Sequence, residues 1–195
     1  MKSRPIYPGL NPHLPARSHI LAAEGEGARA LIEFAEAGPA PAARSTVVYT
    51  AAASAPHGYS LRLQSAGFDV VHVLPTVPTL LARLKGLLMT EKMGMRLQVA
   101  GREGFIGLVV ALGNDHRVDP DSIITEHRGS LARRVQCVHC KGFTEDVTLS
   151  VFPCSHCGLP LFVRDHYSRR LGAFAGVNVN AEVPSESVPS QEIYR

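Results

Sequence analysis

Four cysteines fall in two matched pairs, Cys137-Val138-His139-Cys140 and Cys154-Ser155-His156-Cys157, and the chain has no others. Two residues between paired cysteines let one tight turn aim both thiolates at a single ion. The 13 residues between the pairs are about the length of a short hairpin. Four thiolates on two such turns make a tetrahedral site for one mononuclear metal ion, with Cys137, Cys140, Cys154 and Cys157 as its ligands. Disulfides or buried apolar thiols are the competing reading. The N-terminus, Met1-Lys2-Ser3-Arg4-Pro5, has no apolar signal core to support an oxidising compartment, so the cytoplasm is the default location.

An all-sulfur tetrahedral site suits zinc, a single iron or a cluster. Two-iron clusters usually have less symmetric spacing, which leaves zinc and iron. Gly158 lets the second turn close with backbone N–H groups directed at sulfur, a device that zinc ribbons and rubredoxin-type iron sites share. His139 and His156 each precede a cysteine. Four thiolates already fill the site, so both imidazoles are expected in solvent or beside the ligands. Asp115, His116, Asp119 and Asp121 gather around Pro120, where a solvated turn is expected rather than a second metal site.

The elements that carry these residues follow from pattern. The 195 residues suit one medium domain and one small one, and 45% hydrophobic content supplies a core. No apolar run reaches the ~18 residues of a membrane span. A net charge of +3, from 20 basic and 17 acidic side chains, neither demands nor excludes nucleic acid. Residues 1–19 carry Pro5, Pro8, Pro12 and Pro15 and read as an extended arm, with Ile6, Tyr7 and Leu10 available to a partner. Residues 20–130 alternate strand and helix signals. Strands are expected at Ser45–Thr50, Asp69–Leu74, Arg96–Ala100 and Ser122–Glu126, and helices at Ala28–Ala37, Leu61–Ala66, Pro78–Met89 and Phe105–Leu112. This alternation predicts an α/β domain with a parallel sheet. Residues 131–176 form the four-cysteine domain, and residues 177–195 a flexible or partner-wrapping tail.

Ligands of such sheets sit at the strand C-terminal ends. After Ser45–Thr50, taken as the first strand, comes Ala51-Ala52-Ala53-Ser54-Ala55-Pro56-His57-Gly58. A pyrophosphate-binding turn needs glycines where this one has alanines. After the third strand, Val99-Ala100-Gly101-Arg102-Glu103-Gly104-Phe105-Ile106, with a helix and then Ile124-Thr125-Glu126-His127, resembles the end of the nicotinamide-binding domain of ferredoxin reductases. The resemblance implies a Rossmann-like fold. Ala100 and Arg102 stand where that family has cysteine and proline, which implies a degenerate domain that does not transfer hydride and binds NADPH weakly or not at all.

A longer resemblance covers roughly residues 95–176. Thr125–Gln136, the two knuckles, and Arg164-Asp165-His166-Tyr167-Ser168-Arg169-Arg170-Leu171-Gly172-Ala173-Phe174 look like the small metal-binding subunit of bacterial dimethylamine monooxygenases. That family oxidises dimethylamine with O2 and NADPH to methylamine and formaldehyde. The resemblance implies an accessory, non-catalytic subunit, with haem, flavin and iron–sulfur cluster on the haem-bearing and reductase subunits. Its oxidoreductase setting favours iron slightly over zinc and leaves open whether the ion relays electrons or staples structure. His166 and Tyr167 are expected on a short helix. With Arg164, Arg169, Arg170 and Phe174 they form the expected docking face. No nucleophile elbow, phosphate loop or His-Glu-His motif points to chemistry of the chain's own. The alternative function is a zinc-ribbon binding or regulatory module for protein or nucleic acid. The inter-knuckle span opposes nucleic acid, with Lys141 against Glu145 and Asp146.

Overall fold

The computed structural model describes residues 4–51, 58–181 and 188–194. The alanine-rich turn after Thr50 lies, for residues 52–57, outside the described residues. The chain forms two compact units. One is Tyr7–Gly129; the other joins Met1–Ile6 to Ser130–Arg195.

The first unit is an α/β domain built as β1 (Ser18–Glu24), α1 (Gly27–Glu36), a one-turn α2 (Pro39–Ala42), β2 (Ser45–Thr50), α3 (Tyr59–Ser65), β3 (Val70–Leu74), α4 (Val77–Thr90), β4 (Met95–Gly101), α5 (Glu103–Asp115) and β5 (Ile123–His127). All pairings are parallel, in the order β3-β2-β1-β4-β5. Successive strand side chains alternate between two apolar layers. Ile20, Ala22, Val48, Leu97 and Val99 pack with Leu80 and Leu84 of α4 and Phe105, Ile106 and Val109 of α5. Leu21, Ala23, Val47 and Tyr49 pack with Leu31 and Phe34 of α1 and Leu63 of α3. Helices therefore cover both faces, the doubly wound arrangement. A reciprocal Thr76–Thr79 capping box and Pro78 in the first turn fix the start of α4.

Two expectations are corrected here. The central strand β1 falls where the sequence reading placed the end of the arm and no strand. Its C-terminal turn is Gly25-Glu26-Gly27, so the glycine-rich turn missing after Ser45–Thr50 stands one strand earlier. The arm also packs on its own domain. The Gly9 amide donates to the Thr125 carbonyl (3.1 Å) and the Leu10 amide to Glu126 Oε2 (2.8 Å). Gln98 grips Asn11 twice, accepting from its amide and donating to its carbonyl. Tyr7 and Leu10 join the two apolar layers, and of the three residues expected to meet a partner Ile6 alone is largely exposed, at 86%.

The second unit is a five-stranded sheet of β6 (Arg133–Cys137), β7 (Phe143–Val147), β8 (Val151–Pro153), β9 (Pro160–Ser168) and β10 (Ala173–Asn178), in the order β7-β6-β10-β9-β8. Only β10 and β6 run parallel; the other pairs are antiparallel. Val135, Phe152, Leu161, Val163, Phe174 and Tyr194 make its core. The last described residues, expected in a flexible or partner-wrapping tail, return to this sheet. Ser150 N–H donates to the Gln191 carbonyl (2.8 Å), and the Ile193 and Tyr194 amides both donate to the Thr148 carbonyl (3.0 Å each). Tyr194 is 9% exposed. The Arg133 guanidinium lies between the rings of Phe174 (3.9 Å) and Tyr194 (4.0 Å) and donates to Asp165, which Arg4 also grips through both carboxylate oxygens.

Candidate metal centre

Each cysteine pair sits on a turn that its own backbone closes. In the first, the Cys137 amide donates to the Gly142 carbonyl (2.9 Å) and the Lys141 amide to the Cys137 carbonyl (3.0 Å). In the second, the Cys154 amide donates to the Leu159 carbonyl (2.9 Å) and the Gly158 amide to the Cys154 carbonyl (3.0 Å). Lys141 and Gly158 take positive φ, 63° and 73°, where each turn reverses. Glycine adopts that conformation without strain, and lysine does so at a cost.

The two turns bring the four sulfurs together, all within 4.8 Å of one another. Cys137 Sγ lies 3.9 Å from Cys157 Sγ, and Cys140 Sγ lies 3.7 Å from Cys154 Sγ. A tetrahedron with metal–sulfur bonds of ~2.3 Å has sulfur–sulfur edges of ~3.8 Å, so the donor set fits one ion of that size. Cys137 and Cys154 are buried, while Cys140 and Cys157 face the solvent edge. The Gly142 amide donates to Cys140 Sγ at 3.4 Å.

The clustered thiols shift one another. Burial alone would push the Cys154 thiol up, but the amides of Cys157 and His156 and the neighbouring thiols outweigh it and pull the pKa down to about 6. Cys157 accepts from the Leu159 amide, yet burial and the crowding thiols of Cys140, Cys154 and Cys137 push it up to about 12. Thiolates this close repel one another, and a bound cation would remove that repulsion.

Neither histidine joins the sulfurs. His156 Nε2 pairs with the Phe143 carbonyl (2.9 Å), and its ring covers Gly142, where an added Cβ would lie 2.5 Å from it. Ser155 and Thr144 hydroxyls pair at 3.0 Å, so the tip of the second knuckle is fastened to the strand leaving the first. The acidic loop at Asp115–Asp121 forms no metal cluster among the described residues. Asp119 accepts from the Asp121 amide and caps a 3-10 turn at Pro120–Ser122.

The expected docking residues are placed differently from the sequence reading. His166 and Tyr167 lie on strand β9, not on a helix. Arg164 and His166 are exposed, and Arg169 and Arg170 are exposed in the turn to β10. Tyr167 is half-buried, its ring 5.0 Å from Phe174. Phe174 is 1% exposed and belongs to the core, so it offers no surface to a partner. An exposed apolar residue near Arg164 is instead Phe162, 43% exposed and two positions before it on β9, at the end of the strand away from Arg169 and Arg170. Period-two alternation across Leu161, Phe162, Val163 and Arg164 carries that signal in the sequence.

Comparison with known proteins agrees with both units. Residues 1–123 match the N-terminal domain, and residues 134–177 the C-terminal domain, of the dimethylamine monooxygenase subunit DmmA-like family. The chain is 30% identical over 152 residues (76% of its length and 87% of the relative's) to the heme-dependent oxidative N-demethylase delta subunit of Ectopseudomonas mendocina (strain ymp). Among solved structures it resembles phthalate dioxygenase reductase, with a TM-score of 0.50 and 17% identity over 74% of this chain. It spans only 47% of that reductase, and the likeness speaks for the fold alone. The Amycolatopsis cytochrome P450 reductase GcoB follows at a TM-score of 0.43 and 14% identity, over 56% of this chain and 37% of that one. By the match of both domains, the chain belongs to the DmmA-like family of dimethylamine monooxygenase subunits.

Proposed function

We propose that this chain is the accessory, metal-holding subunit of a cytoplasmic, haem-dependent dimethylamine monooxygenase and is not itself catalytic. The reaction consumes dimethylamine, O2, NADPH and a proton and yields methylamine, formaldehyde, NADP+ and water. Haem, flavin and the iron–sulfur cluster belong to the haem-bearing and reductase subunits. The observation that carries the reading is the tetrahedral spacing of Cys137, Cys140, Cys154 and Cys157, inside the segment that the C-terminal family model matches.

An ion bound there supplies a cross-link between the two knuckles and, as iron, a one-electron couple as well. The chain's own residues do the rest. Cys140 and Cys157 stand at the solvent edge, where a partner can approach. His156, Ser155 and Thr144 hold the knuckles in register. Arg164, His166, Arg169 and Arg170, with Phe162, form the docking face, where arginines fix orientation through bidentate pairs with partner carboxylates. Iron is favoured over zinc because the named relative is an oxidative enzyme subunit.

Co-expression with the haem-bearing and reductase subunits tests this. A stable complex is expected, with about one metal per copy of this chain and the visible absorption of thiolate-bound iron in the separated subunit. Arg169→Glu/Arg170→Glu should weaken assembly by a few kcal/mol if the pairs are buried, and leave the metal in place. Full recovery of the complex with the double variant, at normal dimethylamine turnover, refutes the docking face. Less than half an equivalent of any metal refutes the site.

A further inference from the structure

We propose that the ligand crevice of the parallel sheet is closed by the chain's own carboxylates. Glu24 and Glu26 take the place that a dinucleotide's pyrophosphate takes in nucleotide-binding sheets, Arg102 clamps Glu24, and the domain excludes NADPH by charge and by occupancy.

The backbone of a nucleotide site is present. The strand order β3-β2-β1-β4-β5 reverses between β1 and β4, and open α/β sheets bind ligands in the crevice at that reversal. The turn there reads Gly25-Glu26-Gly27-Ala28-Arg29-Ala30, the Gly-x-Gly-x-x-Ala spacing of dinucleotide-binding turns. Gly25 takes φ 53° to make the turn. Gly27 lets α1 close on β4, since a Cβ there would lie 2.1 Å from the Ala100 carbonyl oxygen.

The side chains do not fit a phosphate. A helix N-terminus attracts an anion, and at α1 the residue before the first turn is Glu26, which brings a carboxylate to that end. Glu24 ends β1 and is 4% exposed. Its oxygens accept from Arg102 Nε (3.2 Å) and Nη2 (2.6 Å), a two-point clamp across the crevice from β1 to the start of α5. The loop after β5 then covers the pair. The Arg128 amide donates to the Gly101 carbonyl (2.9 Å), and Gly129 is placed so that a Cβ would touch Arg102 Cγ (3.5 Å) and Glu26 Cβ (3.8 Å). The Tyr59 hydroxyl reaches Glu26 Oε2 at 3.4 Å. The Glu24 and Glu26 carboxylates bring negative charge to the place where a pyrophosphate would bring more, and like charges repel. Arg102, a cation that a phosphate there could use, is already engaged by Glu24.

Titration calorimetry on the full chain tests this with inorganic pyrophosphate and NADPH as probes. Wild type should show no binding of either up to millimolar concentration. Glu24→Gln/Glu26→Gln should gain pyrophosphate affinity by at least about tenfold, because it removes two negative charges and loosens the hold of Glu24 on Arg102. Adding Arg102→Ala should abolish that gain. Micromolar NADPH binding by wild type overturns the proposal. So does a double variant that is folded by circular dichroism and gains nothing. Should the double variant not fold, Glu26→Gln alone, outside the Glu24–Arg102 pair, must gain about threefold, and failure to do so overturns the proposal equally.

Discussion

Alanine in place of Gly27 should destabilise the protein, while the same change at Gly86 should stabilise it. At Gly27 an added Cβ would lie 2.1 Å from the Ala100 carbonyl oxygen, 2.5 Å from its carbon and 2.9 Å from the Gly101 nitrogen. All three are backbone atoms of β4, which is hydrogen-bonded to β1 on one side and β5 on the other, so they cannot move away. Helix α1 must withdraw by ~1 Å instead. That loosens Leu31 and Phe34 against Leu21 and Val47, which are at most 2% exposed. Overpacking of a close-packed core costs ~1–3 kcal/mol. A rigid backbone neighbour puts Gly27→Ala at ~3 kcal/mol or more, of which alanine's better helix propensity returns less than ~1. Gly86 sits inside α4, exposed, with nothing within 4 Å of its Cβ position. Gly86→Ala should therefore gain ~0.5–1 kcal/mol from propensity and from a less flexible unfolded chain. Urea unfolding followed by far-UV circular dichroism reads both variants in one experiment. Shifts of opposite sign are expected. A Gly27→Ala midpoint within error of wild type would refute the tight approach of α1 to β4, and with it the crevice geometry derived from it.

Cys157→Ser should abolish stoichiometric metal and disorder the small unit, because structural metal binding supplies on the order of 10 kcal/mol of its folding free energy. An unchanged melting curve and metal content would contradict this. His19 should make stability fall in mild acid. Its pKa is lowered by burial first, then by Arg44 and Arg96, and the neutral ring faces Gln98 Nε2 at 3.1 Å. A base with a depressed folded pKa contributes stability above its unfolded value of ~6.5 and loses it as pH falls below, by no more than ~1.4 kcal/mol per pH unit. The stability advantage of wild type over His19→Asn should thus shrink between pH 7.5 and 5.5, and parallel profiles would refute the assignment.

What the sequence revealed follows the range over which its signals act. Ser45–Thr50 and Arg96–Ala100 are rich in branched and apolar residues and read directly as strands; α4 shows its helical period. The knuckles were legible because the spacing that lets one turn present two thiols together spans only a few residues. Strand β1 was not, since Ser18-His19-Ile20-Leu21-Ala22-Ala23-Glu24 holds one β-branched residue and two alanines. Local preference there points to a helix, and burial between β2 and β4 overrides it. Without β1 in the pattern, the glycine turn that follows it has no strand to mark it. His166 and Tyr167 were misplaced for a related reason: a β-bulge interrupts the β9–β10 register between Phe174 and Ala175, which blurs the alternation beyond Arg164. The docking of Tyr194 on Arg133 joins residues far apart in sequence and leaves no local pattern.

The small unit also gives a reason for a buried arginine on the strand that carries Cys137. Below ~70–80 residues an apolar core alone rarely supplies more than ~3–5 kcal/mol, so such units need staples. Strand β6 carries one at each end. Its inward side chains are Arg133, Val135 and Cys137, all buried. Cys137 brings the strand to the four-sulfur cluster. Arg133, ~13 Å away along the strand, is stacked between Phe174 and Tyr194 and paired with Asp165. Stacked, desolvated guanidinium contacts contribute ~1–2 kcal/mol each, far less than a structural ion. With an ion bound, the knuckles would depend on it first, and the end held by Arg133 and the returning tail would refine what the ion fixes.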